Sequence, residues 1–512
     1  MPHRDRTRCR NHPHLYEINT WVWLEELSRR AGKSITLGTV PDAEWDRLAA
    51  LGFDLVWLMG VWERSAEGRQ IARTDSSLWP SYEEALPGWR MEHVVGSGYS
   101  VKSYRPDPRI GSWDELGAVR EKLRHRGIGL VLDFVTNHTG RDHAWVAEHP
   151  EYYVQGTERD FREDPGAFFL VEPDPSKGHS PLFVACGRDP FFPPWTDTAQ
   201  LNYFHPGTRR AAIEQLKSIA QHCDGVRCDM AMLELNDIFA RTWGRLLRGT
   251  PAPLTEFWDE ATASLPGLVW IAEVYWDMEW RMQQLGFQFT YDKRLLDRLH
   301  FVSPGEVRAH LHAEWEYQNR LVRFLENHDE ARSALAIGKE RLPAAATLVA
   351  TLPGMRLYHH GQFDGRKIRP PVQLSTAAEE PPDADIRALY ERLLRISDAD
   401  VFHSGEWALL DVYPAGENSH ENLIAYEWRL EASGKSARRV EDPEPRRRVV
   451  IVNLGSVISQ GVLRLEGLER GHRYIFHDEL TDERHERDGQ ELERHGLFVR
   501  LEPHRAHIFA LT

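Results

Sequence analysis

An arginine and an aspartate stand two positions apart inside a short apolar run, where a buried charge is costly. The run is GVRCDMAML at residues 225–233, and the two residues are Arg227 and Asp229. Residues i and i+2 of a strand point to the same face, so the arginine would keep the neighbouring carboxylate ionised and oriented. A carboxylate held in this state can act as a nucleophile.

Three more apolar runs end in polar residues. LVLDFVTNHTG, WIAEVYW and FLENHDE contribute Asp133, Asn137, His138, Glu273, Asn327, His328 and Asp329. Taken alone, an aspartate can cap a helix, a glutamate can be a solvated loop acid, and a histidine can satisfy hydrogen bonds in a core. Caps do not account for acids at three strand ends with an arginine two residues before one of them, so the runs together indicate one reactive site.

Cleavage of a glycosidic bond would use such a set of acids. One carboxylic acid protonates the leaving oxygen, while a carboxylate acts from the other face of the sugar, about 5 Å away when configuration is retained. Asp229 beside Arg227 suits the ionised role. Glu273 lies in an apolar run near Trp270 and Trp276, where partial desolvation would raise its pKa as an acid/base residue requires.

The runs recur in a pattern that predicts an eight-stranded parallel barrel. Short β-branched segments alternate with helical patterns, as in strands joined by crossover helices. Candidate strands lie at residues 15–23, 54–62, 127–135, 224–232, 268–276, 287–292, 321–329 and 355–361. No Gly-x-Gly-x-x-Gly turn follows any of them, which favours a TIM barrel over a doubly wound sheet. The carboxyl ends of barrel strands meet at one mouth, where the polar strand ends would converge.

The remaining sequence predicts two further domains. The barrel would comprise residues 1–138 and 201–385, interrupted after the third strand by an irregular inserted domain at 139–200, rich in proline, glycine and aromatic residues. Closely spaced alternating strands predict a C-terminal antiparallel β-sandwich at 386–512. The segment 77–98 between the second and third strands is interpreted as a long loop, and the charged segment 431–448 as a solvated hairpin loop.

Composition limits the class of partner. A net charge of -15 argues against nucleic acid, which is bound by positive surfaces, and no run of 18 apolar residues could span a membrane. The basic N-terminus MPHRDRTRCRNHPH precedes no apolar segment, so a cytoplasmic location is predicted. Four cysteines without metal-finger spacing predict reduced thiols. The 18 tryptophans permit stacking on sugars, although a large core explains them more simply.

Four segments carry a resemblance to a known family. LVLDFVTNH, GVRCDMAML, WIAEVYW and FLENHDE resemble, in order, the four signature segments of the α-amylase family, glycoside hydrolase family 13. GSGYSVKSYRPDPRIGSWDEL and TAQLNYFHPGTRRA are similar to two further segments, so the resemblance covers about residues 15–370. It implies a (β/α)8 barrel, a domain inserted after the third strand, and a retaining double displacement on α-glucosidic bonds.

The resemblance also implies catalytic roles. Asp229 would be the nucleophile, Glu273 the general acid/base, and Asp329 the carboxylate that holds sugar hydroxyls and stabilises the transition state. Asp133 would support the barrel, and Asn137 would be a supporting residue or a metal ligand.

Four matched residues would bind the substrate. Arg227 would orient the nucleophile, and His138 and His328 would hydrogen-bond the sugar on the non-leaving side of the scissile bond. Tyr99, in the Gly-Tyr pair before the third strand, would stack under the same sugar ring.

The chain departs from the family pattern at several positions. Met232 and Leu233 stand where starch-degrading α-amylases commonly carry Lys-His, so ordinary α-amylase specificity is not expected. Ser100 stands where many α-glucosidases have an aspartate that grips a terminal glucose. Gln200 stands where a calcium-binding member offers an aspartate, so calcium is not favoured and neither a metal nor a cofactor is predicted.

The residues leave several functions open. A retaining α-glycosidase acting on an oligosaccharide or α-glucoside and a transglycosylase of the α-glucanotransferase type would use the same acids, because they differ in whether water or a sugar hydroxyl reaches the glycosyl-enzyme first. Phosphorolysis would need an anion site that no motif indicates. A non-catalytic binding or scaffold protein would be expected to have lost one of the acids. Sugar identity, linkage and oligomeric state are not encoded in any recognisable motif.

Overall fold

Eight parallel strands form a closed barrel in the computed structural model, which describes residues 10–172, 181–247, 249–301, 304–416, 418–430 and 445–512. Each strand pairs with its neighbours in chain order, and the last pairs with the first. The barrel strands are β1 His14–Asn19, β2 Leu55–Met59, β3 Gly129–Val135, β4 Gly225–Asp229, β5 Val269–Ala272, β6 Phe289–Tyr291, β7 Leu321–Arg323 and β8 Met355–His359. The predicted TIM barrel is therefore confirmed, and each of the eight predicted segments overlaps one of its strands, although every strand is shorter than predicted.

Helices connect the strands and surround the barrel. The helices between β1 and β8 are Thr20–Ala31, Asp42–Ala50, Ala66–Thr74, Trp79–Ala85, Trp113–His125, Ala144–Glu148, Glu158–Glu163, Pro206–Ala220, Asn236–Trp243, Phe257–Ser264, Glu279–Gln284, Lys293–Phe301, Pro304–Leu311, Trp315–Gln318, Ser333–Ala336 and Leu342–Thr351. Trp113–His125 shows why such segments are helical: the Ser112 side chain caps its first turn, acidic residues begin it and basic residues end it. No helix in the described part of the chain is long and apolar enough to cross a membrane.

The strand register sets the floor of the barrel mouth. Arg227 on β4 pairs with Asp133 on β3, and Cys228 pairs with Ala272 on β5. The residues that follow, Asp229 and Glu273, therefore leave adjacent strands at the same level. Parallel pairing thus converts residues distant in sequence into neighbours at one end of the barrel.

Two local predictions are wrong. The first strand was expected to continue through residue 23, but it ends at Asn19, whose side chain caps the helix Thr20–Ala31 by accepting a hydrogen bond from Val22 N. The segment 77–98 is not simply a long loop, because it contains the helix Trp79–Ala85. Pro80 lies in the first turn of that helix, where a missing N–H costs little.

The inserted segment after β3 is built from short elements. His138–Gly140 pairs antiparallel with Thr198–Gln200, and Gln155–Gly156, Leu182–Ala185 and Phe168–Val171 form a three-stranded sheet. Residues 138–140 thus join the end of β3 directly to the far end of the insertion. The exact division of the chain into domains at residues 138, 200 and 385 stays a prediction.

The C-terminal part forms an antiparallel β-sandwich. Its larger sheet has, in spatial order, Glu406–Leu410, Leu423–Arg429, Arg447–Asn453, Ala506–Leu511, Arg473–Asp478 and Arg484–Asp488, and the smaller sheet has Val412–Pro414, Ser459–Leu463 and Leu497–Leu501. Alternate residues of both sheets, among them Ile451 and Val499, share one buried core. The helices of this part are Ala384–Ser397, Val401–Ser404 and Gly489–His495. Most of the charged segment interpreted as a hairpin loop, residues 431–444, lies outside the described residues.

Candidate active site

Arg227 is the buried centre of the barrel mouth. Its Nη1 lies 2.5 Å from Asp229 Oδ1 and its Nη2 lies 2.6 Å from Glu273 Oε2, so one guanidinium contacts both carboxyl groups. The guanidinium carbon also lies 5.1 Å from the ring centre of Trp57 and 5.3 Å from that of Tyr99. Paired carboxylates and aromatic faces together compensate for removing this charge from water.

Asp229 ends β4 with a side chain that is only 10% exposed. Burial raises the pKa of Asp229, and the direct contact with Arg227 opposes this rise and favours the carboxylate. The next residue, Met230, has a φ of 44°, in the left-handed region that non-glycine residues rarely adopt. This turn points the Met230 N–H at Glu273 Oε2, 2.8 Å away. The backbone after one predicted catalytic acid therefore helps to hold the other.

Glu273 is held by donors on both of its oxygens. Its Oε2 accepts from Met230 N, and its Oε1 accepts from the hydroxyl of Tyr275 at 2.8 Å. Burial raises the pKa of Glu273 to about 7, with Arg227 opposing the rise and the nearby Asp229 adding to it. The sequence motif did not identify Tyr275, although it stands two residues after Glu273 in WIAEVYW.

His328 and Asp329 follow β7 and face the same mouth. His328 Nε2 lies 3.0 Å from Asp329 Oδ2 and 2.8 Å from the Tyr99 hydroxyl, and the Tyr99 ring stacks on the imidazole at 5.3 Å. The Asp329 side chain is 47% exposed, so it opens into the cleft. Burial alone would raise the pKa of Asp329, but the His328 contact lowers it well below its usual range.

Glu17 lies beneath His328 and was not identified from the sequence. Its Oε1 is 2.6 Å from His328 Nδ1, although the two residues are 311 positions apart. The available signal was an acidic residue inside the predicted first strand, next to apolar residues in HLYEIN.

His138 and Asp133 flank this group. His138 is buried with its ring 5.2 Å from that of Trp195, and burial lowers the pKa of His138 to about 4, so the imidazole is neutral at pH 7. The carboxylate of Asp133 accepts from Trp57 Nε1 at 3.1 Å and from Gly60 N at 2.9 Å. Asp133 therefore ties β3 to the end of β2, and its Oδ1 also lies 3.8 Å from Arg227 Nη1.

The structure brings the residues predicted for the site into one group. One set of direct contacts links Arg227 to Asp229 and Glu273. A second set links His328 to Tyr99 and Asp329. The Arg227 guanidinium lies over the Tyr99 ring and joins the two sets. His138 stands beside the backbone of Tyr99. In the described residues, no set of three or more His, Cys, Asp or Glu is arranged to hold a metal ion.

An aromatic pair at the rim was also missed by the motifs. The ring of Phe191, from the inserted segment, lies 4.9 Å from the ring of Trp276, which follows Glu273 by three residues. Trp276 and Asp277 both have positive φ values, 63° and 62°, and Arg294 forms a two-bond ion pair with Asp277. The pair lies on the side of the mouth that carries Glu273.

Comparison with known proteins is consistent with this geometry. The family model for the alpha amylase catalytic domain matches residues 44–225. Alpha-amylase 3 of Dictyoglomus thermophilum is 23% identical over 297 residues, which are 52% of this chain and 54% of that protein. Alpha-amylase MalA of Haloarcula japonica is 25% identical over 260 residues, 49% of this chain and 33% of that protein.

The chain is similar in sequence and in fold to proteins of the α-amylase family. Its matches span about half or less of the length of these relatives. The fold agrees with solved structures over nearly the whole chain: the noncanonic maltogenic alpha-amylase AmyB from Thermotoga neapolitana has a TM-score of 0.66 at 18% identity, covering 98% of this chain and 99% of that one. An alpha-amylase from Lactobacillus plantarum has a TM-score of 0.64 at 19% identity, covering 99% of each chain.

Positions where the chain departs from the α-amylase family pattern are structural. Met232 and Leu233 lie in the 3-10 turn Ala231–Glu234 and are buried in the main hydrophobic core. Ser100 is also buried, and its hydroxyl donates to Asp197 O in the insertion at 2.7 Å. These three residues therefore stabilise the walls of the mouth.

The calcium position of the α-amylase family does not fit a cation in this chain. Asn137 O and Asn137 Oδ1 each lie 2.9 Å from Gln200 Nε2, and Leu201 O lies 3.0 Å from it. Three oxygens that could ligate calcium thus converge on an amide that donates hydrogen bonds. Calcium would need these oxygens at about 2.3–2.6 Å and a carboxylate for its charge, neither of which Gln200 permits.

Proposed function

We propose that the chain is a retaining α-glycosidase that cleaves α-glucosidic bonds of oligosaccharides by double displacement through a glycosyl-enzyme intermediate. One observation carries the proposal: the buried guanidinium of Arg227 contacts both Asp229 and Glu273, while the two carboxyl groups have different surroundings. Burial raises the pKa of Asp229, and its contact with Arg227 opposes this rise, whereas Glu273 also accepts from Met230 N and the Tyr275 hydroxyl and has a pKa raised to about 7. Divergent protonation of two nearby acids is the requirement of this chemistry.

In the first step, Asp229 attacks the anomeric carbon and the bond to the leaving oxygen breaks. Glu273 supplies the proton that this oxygen needs. Since Glu273 Oε2 faces two donors, Met230 N–H and Arg227, the proton of the neutral acid resides on Oε1. The leaving sugar departs as an alcohol, and Asp229 becomes esterified to the sugar.

In the second step, the Glu273 carboxylate takes a proton from water, and the resulting oxygen attacks the anomeric carbon. The bond to Asp229 breaks, which releases a sugar of unchanged configuration and restores both acids. Arg227 would stabilise the departing carboxylate of Asp229, since its Nη1 contacts Oδ1 directly.

Asp329, His328 and Tyr99 would bind the sugar that becomes attached. The partly exposed and ionised Asp329 offers acceptors for sugar hydroxyls, and its oxygens are oriented by His328. Tyr99 offers a ring fixed against His328. A cytoplasmic location and the absence of nucleic-acid partners stay predictions from composition.

A transglycosylase is the second candidate, and the aromatic pair Phe191 and Trp276 favours it specifically. Aromatic faces beside the acid/base residue can hold an acceptor sugar and exclude water from the glycosyl-enzyme. Proteins named trehalose synthase/amylase TreS, for example from Mycobacterium tuberculosis, are 25% identical to this chain over 216 residues.

Product analysis of the purified protein tests both candidates. Maltooligosaccharides, isomaltose, sucrose and trehalose would be incubated with the wild type and with Asp229→Asn and Glu273→Gln. Shorter sugars alone, lost in both variants, would establish hydrolysis and identify the linkage, and longer or new sugars would establish transfer. A wild type that changes none of these sugars would contradict the proposal for oligosaccharides.

A further inference from the structure

Glu17 is a fully buried acid on the barrel strand β1. Its Oε1 lies 2.6 Å from His328 Nδ1, and its Oε2 has no hydrogen-bond partner in the described part of the chain. An ionised carboxylate in such a place is costly unless it faces a cation. The most direct candidate is His328.

His328 stands between two carboxylates. Nδ1 faces Glu17, and Nε2 faces Asp329 Oδ2 at 3.0 Å and the Tyr99 hydroxyl at 2.8 Å. Carboxylates only accept hydrogen bonds, and a neutral imidazole has a single N–H. Both contacts are satisfied together only when the ring carries a proton on each nitrogen.

Other charged groups around this pair do not replace that cation. His359 also faces Glu17, but burial lowers the pKa of His359 to about 4, so it is neutral at pH 7. Arg227 is already in contact with Asp229 and Glu273, and Asp133 adds a further carboxyl group facing His328. The positive charge nearest to Glu17 is therefore that of His328.

We propose that Glu17 is a positioning residue that keeps His328 as an imidazolium, so that His328 donates from Nε2 to Asp329 and holds that carboxylate ionised and oriented for the sugar. The inference rests on the proposed function and assigns a reaction role to a residue that never touches the sugar. The imidazolium lets Asp329 stay ionised beside Asp229 and Glu273, since three nearby carboxyl groups would otherwise repel one another. Burial lowers the pKa of His328, but the carboxylates of Asp329 and Glu17 outweigh it and raise that pKa well above its ordinary value.

Glu17→Gln tests this role with little change of shape. The amide oxygen can still accept from His328 Nδ1, and the new NH2 group takes the place of an oxygen that has no partner. Glu234→Gln is the matched control, because Glu234 is equally buried, its pKa is raised well above the usual range, and its hydrogen-bond partner is the neutral hydroxyl of Thr136. Both variants exchange one buried carboxyl for an amide.

The decisive readout is the pH profile of kcat/KM with α-D-glucosyl fluoride, whose leaving group needs little help from Glu273. Without Glu17 the pKa of His328 falls, so its charge is lost as pH rises. We expect Glu17→Gln to lose about tenfold between pH 6 and pH 8, since one pKa unit corresponds to a tenfold change in protonation. The wild type and Glu234→Gln should stay flat over this range. A flat profile for folded Glu17→Gln would overturn the inference.

A measurement on the wild type keeps the inference testable if Glu17→Gln does not fold. Nitrogen NMR of ring-labelled histidine, with His328 assigned by its absence in His328→Gln, should show both ring nitrogens protonated up to pH 8. Titration of His328 at or below pH 6.5 would refute the role of Glu17. A wild type that cleaves neither α-D-glucosyl fluoride nor any oligosaccharide would instead refute the proposed function, and the NMR result would be independent of it.

Discussion

At the scale of single residues, burial raises the pKa of all three acids, and neighbouring cations oppose it to different extents. Burial raises the pKa of Glu273 to about 7, whereas Asp329 stays strongly acidic because His328 contacts it. Arg227 moderates the effect at Asp229. The three acids therefore do not all hold a proton equally, and a double displacement requires such a difference between its acids.

Tyr275→Phe is predicted to impair proton transfer selectively. The Tyr275 hydroxyl donates to Glu273 Oε1, the oxygen proposed to carry the catalytic proton, so its loss should both loosen the acid and raise its pKa above about 7. The first step needs protonated Glu273, so kcat/KM falls as pH rises through this pKa. The variant should therefore show a basic limb at higher pH and about tenfold lower kcat/KM for a maltooligosaccharide.

The measurement compares two substrates. The kcat/KM for hydrolysis of α-D-glucosyl fluoride should change by less than about twofold, because fluoride leaves without much protonation. Tyr203→Phe is the control, since the Tyr203 hydroxyl donates to Thr136 O at 2.8 Å and contacts none of the predicted acids. An equal loss on both substrates would mean that Tyr275 has only a structural role.

Residue spacing predicted part of this site and could not predict the rest. Arg227 and Asp229 could be predicted as site residues because charge inside an apolar strand is rare and the two side chains point to the same face. Glu17 shares the first property, but nothing in its neighbourhood points to His328, 311 positions later. A contact of this kind exists only after the barrel has closed.

At the scale of elements, the end of β3 and the end of the insertion are joined by an amide. Gln200 Nε2 lies 2.9 Å from both oxygens of Asn137 and 3.0 Å from Leu201 O. Neutral hydrogen bonds therefore replace the ion that ties these elements in calcium-binding members. Strand positions were predicted well because apolar runs mark them, but this junction depends on side-chain geometry that composition does not reveal.

Gln200→Glu is predicted to introduce a dependence on calcium. Wild-type thermal stability should be the same in EDTA and in calcium. The variant places a carboxylate among three oxygens without a donor, which should cost about 1–3 kcal/mol in EDTA, and calcium should recover that loss by binding the four groups. Thermal unfolding with and without calcium measures both effects.

The control separates a lost hydrogen bond from a gained metal site. Gln200→Leu removes the donor without adding a ligand, so it should be destabilised to a similar extent and show no response to calcium. A wild type whose melting temperature falls in EDTA would contradict the view that Gln200 takes the place of the ion.

At the scale of the whole molecule, the insertion completes the wall of the barrel mouth. Its loop returns from Gly187 to Trp195, which pairs with it through a backbone bridge, and Trp195 contacts His138. The tip of the same loop places the ring of Phe191 against that of Trp276, on the opposite side of the mouth. The sequence predicted an aromatic insertion here, but which of its rings faces the cleft depends on the loop path.

Phe191→Ala should weaken the use of sugars on the leaving side of the scissile bond. Asp189 Oδ1 accepts from the backbone N–H groups of both Phe191 and Phe192, so one turn presents two phenylalanines that are 63% and 67% exposed. The ring of Phe191 lies against Trp276 and 5.7 Å from the guanidinium carbon of Arg241, whereas no ring contact is found for Phe192 in the described residues. Phe192→Ala is therefore a matched control for loss of exposed aromatic surface.

The expected result follows from the position of this pair beside Glu273. A sugar that leaves or accepts at this side would lose about 1 kcal/mol of ring contact in Phe191→Ala, which is roughly a fivefold lower kcat/KM for maltotriose and a lower ratio of transfer to hydrolysis. α-D-Glucosyl fluoride has no sugar in that place, so its kcat/KM should not change. Two results would contradict this role: an equal loss of kcat/KM for maltotriose in Phe192→Ala, or an equal loss for the fluoride substrate in Phe191→Ala. In either case the wall formed by the insertion and the loop after β5 does not bind the leaving sugar. The two elements would then meet there only to stabilise the fold.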